Sequence, residues 1–261
     1  MDLQLTGKRA LVTGASKGIG RAVAEVLAEE GCHVDLVGRS PQPLEEAAAQ
    51  LAAKHPQARF RAVPADVSLP ADRARVAGLC GDADILVNNA GANPGGRLVD
   101  VADDVWRNAW DLKVFGTIDL TRLIYRAMAP RKSGVIVNVI GVAGERLRAD
   151  YVIGSVGNAA LMAFTRTVGG RSPDEGIRVV GVNPALTATD RAERMLRSFA
   201  LARWGDESRW RELESEMKLP FGRMAAAREV AGVVAFLASA RAGYVSGEVV
   251  NVDGGTAHRN D

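Results

Sequence analysis

Ala10-Leu11-Val12-Thr13-Gly14-Ala15-Ser16-Lys17-Gly18-Ile19-Gly20-Arg21-Ala22-Val23 is the stretch that decides the fold. A short apolar run ends in a glycine-rich turn, and an amphipathic pattern follows at once. Residues 10–12 read as a buried strand. Ile19, Val23, Val26 and Leu27 share one face of a helix that Gly31 stops. The glycines permit a tight turn and close approach of a ligand to the backbone. The helix start adds free N–H groups and the positive end of its dipole. A glycine-rich loop can be a mere turn. Between a first strand and a first helix it predicts a dinucleotide pyrophosphate site, built from Gly14, Ser16, Lys17, Gly18, Ile19 and Gly20.

Outward from this unit the alternation continues. Residues 34–37, 85–87, 135–139, 179–182 and 249–252 are short and β-branched-rich, as buried parallel strands are. Residues 60–63 form a weaker seventh run. Helical patterns lie at 44–54, 103–128 (ending near Pro130), 161–168 and 229–237. With right-handed crossovers, this predicts a Rossmann-type, doubly wound α/β fold: three layers, α/β/α, around a mostly seven-stranded parallel sheet. No repeat or linker interrupts the pattern, so residues 1–261 are expected to form a single domain. Residues 191–218 are charged, hold Trp204 and Trp210, and are too long for an ordinary connection. They read as a helical lid over about 190–218.

Composition bounds the function. The 261 residues are 47% hydrophobic and 25% charged, with a net charge of +2, which suits a large α/β core and neither disorder nor a collagen-like chain. Charges of both signs are mixed, so no nucleic-acid surface is expected. Cys32 and Cys80 make no CxxC pair and read as buried thiols in a reducing compartment. His33, His55 and His258 are isolated, so spacing proposes no metal site. No leader-like segment and no membrane-length apolar run is found, and a cytoplasmic location without a membrane partner is expected.

Further motifs follow the glycine loop, whose own spacing is G-x-x-x-G-x-G. Asp66-Val67 follows the third strand, and Asn88-Asn89-Ala90-Gly91 follows the fourth. Asn183-Pro184 precedes Thr189, and Val252-Asp253-Gly254-Gly255 lies near the end. Together these make the chain resemble the short-chain dehydrogenase/reductase family over nearly its whole length. Ala185 stands where that family has glycine in N-P-G-x-x-x-T. The resemblance implies that Asp66 and Val67 meet the adenine, and that Asn89, Ala90, Gly91, Pro184 and Thr189 line the rest of the cofactor site. Cofactor choice has a physical argument. An acidic residue at the end of the second strand grips the NAD ribose 2′-hydroxyl. Here Gly38 and Arg39 stand there, with Lys17 nearby. Two cations and no carboxylate favour a 2′-phosphate, so NADP(H) is expected, with NAD(H) as the alternative.

The family's chemistry uses Asn, Ser, Tyr and Lys, with the Tyr as general acid–base. Matching Asp111-Leu112-Lys113-Val114-Phe115-Gly116 to N-x-x-G puts Lys113 at the Asn position. Asn138 to Gly144 resembles N-x-S-S-x-x-G and puts Gly141 at the Ser position. Ala159-Ala160-Leu161 resembles the residues after the catalytic Lys, which puts Asn158 at the Lys position and Gly154 at the Tyr position. Two readings follow. In the first, a rearranged site uses Tyr151 as acid–base, Lys113 as its neighbouring cation and Asn158 on the ribose. In the second, the chain is a catalytically degenerate dinucleotide-binding protein with a structural or regulatory role. Tyr151 is then packing, Lys113 is solvated or ion-paired, and Asn158 is a hydrogen-bonder at a helix start. A slow enzyme lies between them. The Asn–Lys exchange favours the first: an NADP(H)-dependent oxidoreductase interconverting a carbonyl and an alcohol on a small molecule.

Glu145, Arg146 and Arg148 follow the fifth strand, and the lid adds Arg191, Arg194, Arg197 and Arg203. Arginines converging on a pocket would suit an anionic substrate. Asp190, Glu193, Asp206 and Glu207 could instead pair with them along helix faces. Trp106 and Trp110, four apart, make an apolar stripe suited to core or subunit contact. The resemblance implies a homodimer or homotetramer.

Overall fold

The computed structural model describes residues 1–259. The chain runs β1 (Arg9–Thr13), α1 (Gly18–Glu29), β2 (His33–Gly38), α2 (Pro41–Lys54), β3 (Phe60–Pro64), α3 (Pro70–Cys80) and β4 (Ile85–Asn88). It continues with α4 (Asp103–Trp110), a π-helical segment (Asp111–Phe115), α5 (Gly116–Met128), β5 (Gly134–Val139), α6 (Val152–Gly169) and β6 (Ile177–Pro184). The rest comprises β7 (Thr187–Ala188), α7 (Asp190–Trp204), α8 (Trp210–Glu216), β8 (Ala225–Ala226), α9 (Ala227–Ala238) and β9 (Val249–Val252). Seven strands form one sheet in the order β3-β2-β1-β4-β5-β6-β9, and every pairing in it is parallel. The order reverses beside β1, where β4 lies on its other side. A crevice opens there outside the carboxyl ends of the strands.

Side chains alternate across the sheet and build two cores. Ala10 and Val12 of β1, Val137 and Val139 of β5, and Val180 and Val182 of β6 pack with Val23, Leu27, Val230 and Val234 of α1 and α9. Leu11, Ile136 and Val179 face the other way, against Val76, Leu120 and Ile124 of α3 and α5. The strands are buried on both faces, which is why they read as continuous apolar runs.

Three features depart from the sequence reading. The helix expected over 103–128 is interrupted by the π segment, which contains Lys113. The helix expected at 161–168 begins about two and a half turns earlier, at Val152. The third helix, α3, was not foreseen, because its buried face includes an arginine. Arg73 is 5% exposed and donates to the Val67 and Ser68 carbonyls while pairing with Asp119. Hydropathy patterns cannot register a buried guanidinium satisfied by backbone oxygens. Among the described residues, no helix is long and apolar enough to cross a membrane. Both cysteines are free and buried, and burial pushes each thiol up to about 12.

Candidate active site

The crevice is a cleft of about 2510 Å³. Its floor is set where β1 meets β4. The Thr13 hydroxyl accepts from the Asn89 and Ala90 amides, each at 2.9 Å. The Asn89 side chain returns a bond to the Thr13 carbonyl at 2.9 Å. The glycine loop and the turn after β4 are therefore one braced unit. Thr13 escaped the sequence reading, since a buried threonine at a strand end leaves no special pattern.

Most of the residues expected around a dinucleotide line this cleft: Gly14, Ser16, Lys17, Gly18, Ile19, Arg39, Val67, Asn89, Ala90, Gly91, Asn158, Pro184 and Thr189. Gly20 and Asp66 do not. Gly20 lies under the loop, where a Cβ would run into the Gly14 carbonyl and the Asn89 side chain, so it serves close packing of the helix start on the loop. Asp66 folds onto its own turn and accepts from the Ser68 amide and hydroxyl at 2.9 and 2.7 Å. Thr189 caps α7, accepting from the Ala192 amide at 3.3 Å, and its methyl faces Gly18.

The loop suits a phosphate-bearing group. Gly14 takes φ +66°, and a Cβ there would lie 2.9 Å from Asn89 Nδ2. No side chain caps the start of α1, and no acid stands in its first turn. The N–H groups there are thus left for an anion. Lys17 and Arg39 are exposed and have no ion-pair partner among the described residues.

Beyond the loop, Lys113, Tyr151 and Asn158 share the cleft wall. Lys113 Nζ donates to the Ile140 carbonyl at 2.5 Å. Its stem packs where Gly91 leaves room, since a Cβ at 91 would lie 2.9 Å from Lys113 Cδ. Burial, helped by the positive charge of Arg191, pulls the ammonium down to about 7. Among the described residues Lys113 has no ion-pair partner, and its ammonium is engaged by a backbone carbonyl instead.

Tyr151 stands at the start of α6, half-buried. A backbone bridge to Gly96 holds it: Val152 N–H donates to the Gly96 carbonyl at 3.3 Å, and Gly96 N–H to the Asp150 carbonyl at 2.8 Å. Its ring lies directly over Gly154, where a Cβ would overlap Cε1 and Cζ. Asn158 is 3% exposed and lies in the body of α6, not at its start as the degenerate reading supposed. Its Nδ2 would be 2.9 Å from a Cβ on Gly141, which adopts φ +133°. Its Oδ1 is buried without a hydrogen-bond partner among the described residues.

The depressed Lys113 has a consequence for stability. Below pH about 7 the folded and unfolded chains both hold the proton, and the burial cost is fully present. Between about 7 and the ordinary value of 10.5, the folded chain releases the proton while the unfolded chain keeps it, so stability rises with pH. Lys113→Met is expected to raise Tm most at pH 6 and to flatten the rise between pH 7 and 10. Thermal melts across that range check it; parallel curves for the two proteins would refute it.

Several arginines of residues 190–218 are engaged within that segment. Arg197 pairs with Glu193 and Arg203 with Glu216. Their guanidiniums lie over Trp210 and Trp204 at 5.7 and 4.7 Å from the ring centres. Trp210 packs with Leu196 and Ala200 in a small core of its own. Trp106 and Trp110 touch in a tilted arrangement with centroids 6.1 Å apart. Away from the cleft, Glu25, Glu29 and His55 bring ligand atoms within 4.8 Å of one another, a grouping that spacing did not show. Lys54 and Arg228 already pair with the two carboxylates.

A crevice of this kind at a sheet's switch point, behind a braced glycine loop, defines a nucleotide-binding α/β protein. The family model described as Enoyl-(Acyl carrier protein) reductase matches residues 14–257. The 3-oxoacyl-(acyl-carrier-protein) reductase FabG of Escherichia coli is 33% identical over 260 residues, spanning 97% of this chain and 98% of that protein. Dehydrogenase/reductase SDR family member 4 of Pongo abelii is 32% identical, spanning 98% of this chain and 89% of that protein. The structure of L-sorbose reductase from Gluconobacter frateurii, complexed with NADPH and L-sorbose, superposes with a TM-score of 0.92 at 33% identity over all of both chains. The chain belongs to the short-chain dehydrogenase/reductase family of oxidoreductases.

Proposed function

We propose that this protein is an NADP(H)-dependent oxidoreductase that interconverts a carbonyl and an alcohol on a small molecule, with Tyr151, Lys113 and Asn158 as its working side chains. One observation carries the reading. The positions at which the family resemblance finds its usual residues missing are filled from elsewhere by polar groups. The Tyr151 ring takes the space beside Gly154, and the Asn158 amide takes the space beside Gly141. A site that had merely decayed has no reason to seat a phenol and an amide in these two spaces. The desolvated Lys113 ammonium and the Asn158 Oδ1, which has no partner among the described residues, are costs to folding, and such costs are commonly borne at functional sites.

The bound dinucleotide would supply hydride exchange with the substrate carbon. Gly14, Ser16, Gly18 and Ile19 would hold its pyrophosphate against the start of α1, with Lys17 and Arg39 on the 2′-phosphate. Tyr151 moves the proton at the substrate oxygen. Lys113, when protonated, supplies positive charge beside that oxygen. Asn158 holds the ribose through the Oδ1 that has no partner of its own. Helices α7 and α8 act as the lid that excludes water.

The cofactor reading is tested by fluorescence titration. NADPH is expected to bind at least tenfold tighter than NADH, and Arg39→Ala to remove most of that margin, since a phosphate–guanidinium pair is a charge-assisted bond. Equal or tighter NADH binding would overturn the roles of Lys17 and Arg39. The mechanistic reading is tested by NADPH oxidation against a mixed carbonyl panel.

A further inference from the structure

The cleft carries positive charge that the cofactor reading leaves unused. Lysines and arginines on its walls outnumber carboxylates by more than two to one. Several of these cations are neutralised, Arg148 by Asp150 and Arg223 by Glu229 among them. Two on α7 are not. Arg191 reaches across to the turn after β4 and donates to the Gly91 carbonyl at 2.9 Å and the Asn93 carbonyl at 3.1 Å. Both acceptors are neutral, so its charge remains, and a guanidinium has five N–H donors to give. Arg194 follows three residues later on the same helix face, exposed and lining the cleft, with no ion-pair or hydrogen-bond partner among the described residues.

A separate observation lies beside them. Asn93 lines the same cleft and is 6% exposed, yet its side-chain Nδ2 has no hydrogen-bond partner among the described residues. A buried amide donor left unpaired disfavours folding unless a ligand completes it. It sits on the residue whose own carbonyl holds Arg191. The Asn93 amide and the Arg191 guanidinium thus lie together, and Arg194, three residues further along α7, lines the same cleft.

Resting on the reading of the cleft as an active site, we infer that Asn93, Arg191 and Arg194 form an anion subsite that selects carbonyl substrates bearing a carboxylate. Planar forked donors match a carboxylate's two oxygens. A buried amide donor adds direction that a diffuse positive field lacks. The carboxylate would lie toward the turn after β4 and the start of α7, with the reacting carbonyl toward Tyr151.

The test uses the full-length protein and two probes alike except for charge, 4-oxopentanoate and its methyl ester. With NADPH, the acid is expected to exceed the ester in kcat/KM by about tenfold or more, the scale of a charge-assisted contact. Arg194→Gln and Asn93→Ala should each pull the acid-to-ester ratio toward one. An ester reduced as well as the acid, or a ratio unmoved by both variants, overturns the inference. Calorimetry on the protein saturated with NADP⁺ separates this from failure of the activity itself. That loading fills the phosphate pocket at Lys17 and Arg39, so acid binding there cannot imitate the subsite. Acid-selective binding lost in Arg194→Gln sustains the subsite even where no ketone is reduced. Equal or absent binding of the two probes sinks it.

Discussion

Tyr151→Phe is expected to lower kcat for carbonyl reduction by about 10²–10⁴-fold, the range for loss of a positioned acid. The change removes one oxygen and keeps the ring. The ring's packing over Gly154 and the backbone bridge to Gly96 should therefore survive. Thermal stability and NADPH affinity are expected to stay close to those of the parent. That combination is diagnostic, because a tyrosine that only packs would lose little of either kind. NADPH oxidation with the carbonyl panel, alongside NADPH titration and melting curves, reads all three. Turnover equal to the parent's would assign proton transfer to another group.

The second large effect is expected from a change that adds one methyl group. Glycine in a helix interior is ordinarily worse than alanine by about 1 kcal/mol, so Gly154→Ala in α6 would by propensity alone stabilise the protein. Here the added Cβ would overlap Tyr151 Cε1 and Cζ and come within 2.6 Å of Cδ1. The ring must leave its position. A displacement of about an ångström in a catalytic group costs roughly 10² in rate. Gly154→Ala is therefore expected to lose activity by about that factor, with stability lowered or unchanged. The double variant Tyr151→Phe/Gly154→Ala supplies the control. Both changes act on one hydroxyl, so their effects should not add. Fully additive losses would show that Gly154 matters for another reason.

Much of the frame was legible in one dimension. The strands buried on both faces, the glycine loop and the switch-point crevice follow from short apolar runs and from a turn placed between strand and helix. The proposed catalytic region was legible only as a set of motif mismatches. Matching motifs marks Gly141 and Gly154 as missing side chains, because it compares each position with its own counterpart. It cannot show that the missing volume at 154 is taken up by a ring attached three residues earlier, or that at 141 by an amide seventeen residues later. Both exchanges are contacts through space. The placement of Lys113 was hidden for the same reason, since it depends on Gly91 and the Ile140 carbonyl. Asn93 gave no signal, because an unpaired amide is a property of its surroundings.

The π segment at Asp111–Phe115 has a consequence for how this helix can change. Such a turn carries one residue more than regular α geometry needs. The surplus is absorbed locally, so α4 and α5 on either side keep their own packed faces. Lys113 lies within the surplus. A single-residue deletion there could heal into continuous α-helix with the outer faces still in phase, yet the lysine would be turned away from Ile140. The segment thus acts as an angular offset that sets the azimuth of one side chain independently of the helix that carries it. Core packing and the aim of Lys113 can be altered separately, although both are written into the same 26 residues.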